Sequence, residues 1–326
     1  MKAFSYVNAA NEKEAIGALS AERGRILPLA GGMDLIALMK DYIAQPDRLV
    51  NVKNLDRRIQ RLPDGSMRIG AAATIADLLA HAELAKAYPA FVQAAEEVGT
   101  PQIRNAGTVG GNLNQRPRCW YYRNEEFNCL KKGGSRCFAV DGENQYHAIF
   151  GDGPCHIIHP SSLAVPAIAL DARFRIAGPN GEREVAAADY FVMPDKNMFG
   201  ETVLAPNELL THVTLPPPRG ARTATYEVRF KQSHDWPLAA ASVALTVSGQ
   251  TIKSARVVLG AVAPIPWRSA AAEAALAGKS LTEETANAAA DAAITGAKPM
   301  SRNAYKVRIA RTAVKRAVMR AAGLKV

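Results

Sequence analysis

Four thiols raise the first chemical question. Cys119, Cys129, Cys137 and Cys155 are the only cysteines in 326 residues, and nine, seven and seventeen residues separate them in turn. Four thiolates can close two disulfides, hold one zinc ion or fill the four corners of a cubane iron–sulfur cluster. Zinc ribbons and bacterial ferredoxins use close C-x-x-C pairs, whereas gaps this long suit an irregular loop wrapped round a cluster. Lys131, Lys132 and Arg136 lie between the second and third cysteine and would offset thiolate charge. His147, His156 and His159 are further donors, but four cysteines suffice, so they are read as structural or solvated. A [4Fe–4S] cluster is the leading reading, with zinc and disulfides kept open.

Two glycine turns raise the second question. In Leu29-Ala30-Gly31-Gly32-Met33-Asp34-Leu35-Ile36 a strand ends in two glycines and a helix opens. Residues without side chains let the backbone close on a ligand, and amides at a helix start present partial positive charge. A diphosphate would fit, and an ordinary turn capped by Asp34 is the plain alternative. Gly107-Thr108-Val109-Gly110-Gly111-Asn112 makes a second polar cradle, or else a surface loop. Neither turn is a G-x-G-x-x-G fingerprint or a Walker loop. Two such turns favour a long dinucleotide lying between domains. No general acid/base pair or nucleophile triad is evident.

The elements that must carry these residues fall into three parts. Residues 1–57 read β-α-β-α-β: a strand over 2–7, a helix over 12–21, a strand over 26–30, a helix over 34–40 and a strand over 48–52. Residues 58–217 mix a strand over 67–70, a helix over 75–82 capped by Thr74, helix over 91–98, and a strand near 172–177. The cysteine segment, at about 114–159, reads as an insert in this part. Pro216-Pro217-Pro218-Arg219-Gly220 is a rigid joint. Residues 222–326 begin with strands over 224–231, 240–247 and 254–261 and then turn helical, an α+β pattern.

Composition sets the limits. The length implies two or three domains. Apolar content of 48% fits a globular chain, and no apolar run approaches a membrane span. Met1 to Asn8 reads as a first strand rather than a secretory signal, which weakens the disulfide reading. The net charge of +10 gathers at the C-terminus, where Lys298, Arg302, Lys306, Arg308, Arg311, Lys315, Arg316, Arg320 and Lys325 follow the last acid, Asp291. Tyr305, Ile309, Ala313, Ala317 and Ala321 keep a four-residue step, so this run reads as a docked helix with a solvated basic face. Nucleic-acid binding and an acidic partner subunit are the alternatives.

Three phrases carry a family likeness. Ala30-Gly31-Gly32-Met33-Asp34-Leu35, Gly107-Thr108-Val109-Gly110-Gly111-Asn112 and Leu259-Gly260-Ala261-Val262-Ala263-Pro264 resemble the FAD-binding medium subunit of the xanthine dehydrogenase family of molybdenum hydroxylases. The likeness spans essentially the whole chain. Arg118-Cys119-Trp120-Tyr121-Tyr122, Cys129 through Cys137 and Cys155-His156-Ile157-Ile158-His159-Pro160 resemble the subgroup with an extra [4Fe–4S] cluster. Periplasmic aldehyde oxidoreductase and 4-hydroxybenzoyl-CoA reductase have subunits of that kind. The resemblance implies a two-part FAD-binding domain of the PCMH (vanillyl-alcohol oxidase-like) type. A C-terminal α+β domain like that of the CO dehydrogenase flavoprotein would follow.

Carried over residue by residue, the resemblance has Leu29, Ala30, Gly31, Gly32, Met33, Asp34, Leu35 and Ile36 wrap the FAD diphosphate. Thr108, Val109, Gly110, Gly111 and Asn112 would complete the clamp, and Leu210 would touch the flavin ring. Two positions depart from the family pattern. Ser162 stands where many relatives have aspartate and offers a neutral hydroxyl. Glu227 stands where many have lysine; Lys231 either replaces it as the cation near the ring's N1–O2 edge or is a surface lysine. The metal ligands would be Cys119, Cys129, Cys137 and Cys155.

The function so implied is electron transfer. A partner large subunit would hold the molybdenum cofactor and oxidise an aldehyde or N-heterocycle, and a small subunit would carry two [2Fe–2S] clusters. This chain would pass the electrons through FAD to an external acceptor the sequence does not identify. A subunit of a reductive aromatic acyl-CoA reductase, a stand-alone flavin oxidase and a zinc-stapled basic nucleic-acid-binding protein are the alternatives. The expected location is the cytoplasm, or the periplasm as a folded complex exported on a partner's signal.

Overall fold

The computed structural model describes residues 1–231 and 234–326. Its N-terminal sheet holds β1 (Ser5–Asn8), β2 (Ile26–Leu29) and β3 (Arg48–Asn51) in the order β1-β3-β2, all parallel. Parallel neighbours need crossovers, which α1 (Glu12–Ala18) and α2 (Leu35–Lys40) supply. The alternation expected here is present, with shorter elements. Asp34 precedes α2 but makes no side-chain capping bond.

The middle sheet is antiparallel, in the order β4-β5-β8-β6-β7: β4 (Ile59–Arg61), β5 (Met67–Gly70), β6 (Arg173–Gly178), β7 (Gly181–Ala186) and β8 (Leu209–Leu215). Against it pack α3 (Ile75–Ala80), α4 (Ala82–Ala87) and α5 (Pro89–Glu96), followed by α6 (Pro101–Ala106) and α7 (Val109–Leu113). Thr74 caps α3 through a reciprocal box: its hydroxyl accepts from the Asp77 amide at 3.0 Å and its own amide donates to the Asp77 carboxylate at 2.8 Å. Ile69, Leu78, Phe91, Phe174 and Val213 meet in the core between. The central strand β8 has no counterpart in the sequence reading; it is sheltered on both faces and reads locally as a lead-in to the proline joint.

The insert contributes one turn of helix, α8 (Trp120–Arg123), and a 3-10 turn at Leu130–Lys132, and is otherwise irregular. The chain returns through α9 (Ala164–Ala169) and α10 (Ala187–Tyr190). The last part is a sheet ordered β12-β11-β10-β9, from β9 (Arg222–Val228), β10 (Ala239–Ser248), β11 (Thr251–Gly260) and β12 (Trp267–Arg268). It is followed by α11 (Ala270–Leu276), α12 (Glu283–Ala293) and α13 (Tyr305–Ala322), which bury a second core with it.

The basic helix α13 corrects two expectations. Its buried stripe is Lys306, Ala310, Ala313, Val314, Ala317, Val318, Met319 and Ala321, while Tyr305 is 36% exposed. Lys306 is not solvated: it is fully buried and donates to the carbonyls of Ala261 (2.7 Å), His147 (3.0 Å) and Tyr146 (3.3 Å). Much of the remaining charge is paired within the chain. Arg311 meets Asp291 (2.5 Å), Lys315 meets Glu283 (2.7 Å) and Arg302 meets Glu143 (2.8 Å). Arg316 and Arg320 stack on Tyr226. Among the described residues no helix is long and apolar enough to cross a membrane.

Candidate functional site

The two glycine turns touch. A Cβ on Gly31 would lie 1.9 Å from the Ala106 carbonyl oxygen, so only glycine lets the first turn close on the end of α6. Gly32 takes φ +74°, the left-handed region, which turns the chain from β2 into α2. The backbones differ in what they leave free. Among the described residues, the amides of residues 30–35 are bonded to no backbone carbonyl. In the second turn Val109, Gly110 and Asn112 donate to Ala73 (2.8 Å), Ala71 (2.9 Å) and Thr108 (2.8 Å), and Gly111 donates to the Thr108 hydroxyl (3.0 Å). The first turn therefore has donors to offer an anion. The second, Thr108 apart, has used its own and forms the facing rim.

Both turns line a cleft of about 610 Å³, a volume typical of a cofactor site. Its other walls come from the α5–α6 junction (Glu97, Val98, Gly99, Thr100), from Ser162 and Leu210 of the middle part, and from His234, Asp235, Trp236 and Pro237 of the last part. The insert adds Gln115, Arg116, Arg118 and Tyr122. Arg118 lies over the Trp236 ring at 4.5 Å and joins two of these walls. One end presents backbone donors and the other apolar and aromatic side chains, as a diphosphate joined to a flat ring requires. These residues fit FAD.

Asp34 connects the cleft to the insert. Its carboxylate accepts from the Arg116 amide (2.7 Å) and meets the guanidinium groups of Arg123 (2.5 Å) and Arg118 (3.0 Å). Arg116 also pairs with Glu201 at 2.7 Å, which meets the nearly fully buried Lys131 at 2.8 Å. Polar contacts run from the first glycine turn to the cysteine segment, the step from Asp34 to Arg116 made through the Arg116 backbone amide and the rest by ion pairs. Glu201 thus takes much of the Lys131 charge that was expected to face the thiolates.

All four cysteines are free thiols. Cys129 and Tyr122 pack on Leu38 of α2, with Cys119 and Phe138 beside them. The His147 ring nitrogen Nε2 lies 3.3 Å from the Cys119 sulfur, and both His147 and His159 are buried. Cys137 and Cys155 share a hydrogen bond that pulls the Cys137 thiol down to about 5 and pushes Cys155 up, whereas burial raises Cys119 to about 11. Lys132 lies near enough to Cys129 and Cys119 to feel their charge. Among the described residues no three His, Cys, Asp or Glu side chains form a close single-ion site. Four free thiols beside cations, in a segment where the rings of Trp120, Tyr121, Phe127 and Phe138 pack on one another, are a donor set of the right number and softness for a cubane cluster.

The sequence-derived residues divide accordingly. Leu29, Ala30, Gly31, Gly32, Met33, Asp34 and Leu35 line the cleft, as do Thr108, Gly110, Gly111, Asn112, Ser162 and Leu210. Val109 is buried in the core, and Ile36 lies under Gly32. Lys231 is outside the lining: β9 ends at Val228, and Lys231 is exposed in the bend beyond. The Trp236 ring is 49% exposed on the cleft wall. The Arg116 and Arg118 wall was missed; the basic flank of the first cysteine was its only local signal.

Comparison with known proteins agrees with this geometry. The family model for the FAD-binding domain in molybdopterin dehydrogenase matches residues 2–218, and that for the CO dehydrogenase flavoprotein C-terminal domain matches residues 224–321. The aldehyde oxidoreductase FAD-binding subunit PaoB of Escherichia coli is 36% identical, over 95% of this chain and 96% of its own. Carbon monoxide dehydrogenase from Hydrogenophaga pseudoflava superposes with a TM-score of 0.76 at 29% identity, covering 98% of this chain and 97% of that one. Quinoline 2-oxidoreductase from Pseudomonas putida 86 gives 0.76 at 25% identity, with 99% of both chains covered.

Proposed function

Since the chain belongs to the family of FAD-binding subunits of molybdopterin dehydrogenases, we propose that it is the FAD and [4Fe–4S] electron-transfer subunit of a molybdenum hydroxylase. The substrate class we assign is aldehydes, following the relative that shares 36% of its sequence. The organic substrate would be oxidised on a large partner subunit, and electrons would arrive through a small subunit's [2Fe–2S] clusters. Bound flavin supplies the chemistry of collecting single electrons and releasing pairs.

The chain's own residues bind and orient. The free amides of residues 30–35 hold the diphosphate. Leu210 and Trp236, both on the cleft wall, would flank the ring. Cys119, Cys129, Cys137 and Cys155 would hold the cluster, with Cys129 and Cys155 the two buried ligands. The observation that carries the reading is the shared wall: the insert that bears the cysteines packs on α2, the helix that the first glycine turn opens. A cluster held by these cysteines would lie beside the cleft.

Anaerobic rapid mixing with an aldehyde tests it. Flavin absorbance should bleach when the chain is mixed with its partner subunits and stay unchanged when the chain is alone. Bleaching of the isolated chain would make it a self-contained oxidase. A bleach that substrate cannot elicit in the complex, with FAD bound, would contradict the electron-transfer role.

A further inference from the structure

One carboxyl beside the cleft lacks the partners that burial demands. The side chain of Glu227, on β9, is 1% exposed, and among the described residues neither carboxyl oxygen has a hydrogen-bond partner. Burying such a group in its charged form is costly, so either it holds a proton or something nearby compensates it. Burial pushes it up to about 7, opposed in part by the Ser162 hydroxyl, which lies close to the carboxyl without meeting hydrogen-bond geometry. Thr225 and Arg229, two residues to either side, show which way this face of β9 looks. Thr225 donates to the Ala90 carbonyl of α5 at 2.8 Å, and Arg229 is paired with Glu97 at the end of that helix. Glu227 therefore points toward the middle part, with Ser162 close to it, and Ser162 lines the cleft.

The charged surroundings are few. Arg229 on the same strand brings Nε to 3.7 Å from the carboxyl, but its guanidinium is already engaged by Glu97 and feels Asp235. From α9's leading turn comes only the neutral Ser162, and across the strand pair stands Ala240. Among the described residues the basic side chains lining the cleft are Arg23, Arg116, Arg118 and His234; Arg116 and Arg118 are paired with Glu201 and Asp34, and none of the four pairs with Glu227. A flavin ring that gains two electrons near neutral pH gains negative charge. A second negative charge behind Ser162 is then unfavourable, and the mobile positive charge available to relieve it is a proton.

We propose that Glu227 is the redox-linked proton acceptor of this site: its carboxylate takes one proton from solvent when a flavin ring held against Ser162 is reduced, and releases it on reoxidation. The proposal rests on the flavin reading above. The two electrons come from the partner clusters, or from dithionite in a titration; the proton adds to a carboxylate oxygen, and no bond to the ring forms. Glu227 positions charge rather than touching the reacting atoms. The same step keeps the reduced site electrically balanced while the chain waits for its acceptor.

The test is the pH dependence of the flavin midpoint potential in the assembled complex, titrated with dithionite across neutrality. In the native protein the potential should fall more steeply above about pH 7 than below it, because a further proton is then taken up with each ring reduced. Glu227→Gln should lose that break and run at one slope throughout. Glu227→Asp should keep a break, displaced in pH. A Glu227→Gln line merely offset from the native line, with the break intact, overturns the assignment. FAD per chain is measured on the same samples. Absence of FAD from the native protein overturns the flavin reading and this inference together, while full FAD with unchanged slopes overturns this inference alone.

Discussion

At the scale of single residues, the site depends on atoms that are missing as much as on those present. Gly31 has no room for a methyl group, because a Cβ there would fall 1.9 Å from the Ala106 oxygen. Gly31→Ala should part the two turns and lower FAD content by an order of magnitude or more, whereas Gly17→Ala, with nothing within 4 Å, should change neither FAD content nor fold; absorbance of the purified variants separates the two. Glu227 makes a stability prediction of definite sign. Burial raises its carboxyl to about 7 from an ordinary 4.5, so between those values the folded chain holds a proton that the unfolded chain has lost. Stability should fall as pH rises through that window, and Glu227→Gln should exceed the native chain by up to about 3 kcal/mol above it. The two should converge near pH 4.5, where both forms are neutral; urea melts at several pH values measure the difference. Burial lowers His159 to about 3, which works in the other direction, since a neutral buried ring must be charged on unfolding in acid. Its contribution is lost as pH falls below the ordinary imidazole value of 6.5.

At the scale of elements, the insert is held by charge at one edge and by a lysine at another. Asp34 ties α2 to Arg116, Arg118 and Arg123, and its carboxylate is only 18% exposed. Asp34→Asn would leave partly buried guanidinium groups without their anion, at a cost of about 2 kcal/mol. It should lower FAD and iron content together, because the glycine turn and the cysteine loop share that carboxylate; loss of FAD with iron unchanged would separate them. Lys306 anchors the other edge. Its three carbonyl acceptors belong to the insert and to the turn after β11, so Lys306→Met should strand them and destabilise the chain by about 3 kcal/mol. Thermal melting of the cluster-loaded chain, followed in the charge-transfer band, should show the insert loosening first.

At the scale of the whole molecule, what could be read ahead of the structure was what is local. The Thr74 cap and its Asp77 partner lie three residues apart, and the strand-to-helix turn at Gly31-Gly32 is contiguous. Both were legible in the sequence. The cleft was legible at the end its glycine turns form, for the same reason. Its remaining walls join segments more than a hundred residues apart, such as Gly99 and His234, and no spacing rule brings them together. Lys306 was hidden in a run of nine basic residues with no local mark to show which one turns inward. Strand β8 was hidden because shelter on both faces removes the alternation that marks a half-exposed strand. Because so much of the basic tail is paired within the chain, binding to duplex DNA should be weak and lack the steep salt dependence of a dedicated reader, which a fluorescence titration at two salt concentrations will show.

The central claim is that one chain holds a flavin and a cubane cluster side by side. It is tested most directly by FAD, iron and acid-labile sulfide per chain, measured on protein purified without oxygen. The account predicts one FAD with about four iron and four sulfide, and loss of the iron and sulfide in Cys137→Ser with the fold retained. Zinc in place of iron, or no bound flavin, would contradict it.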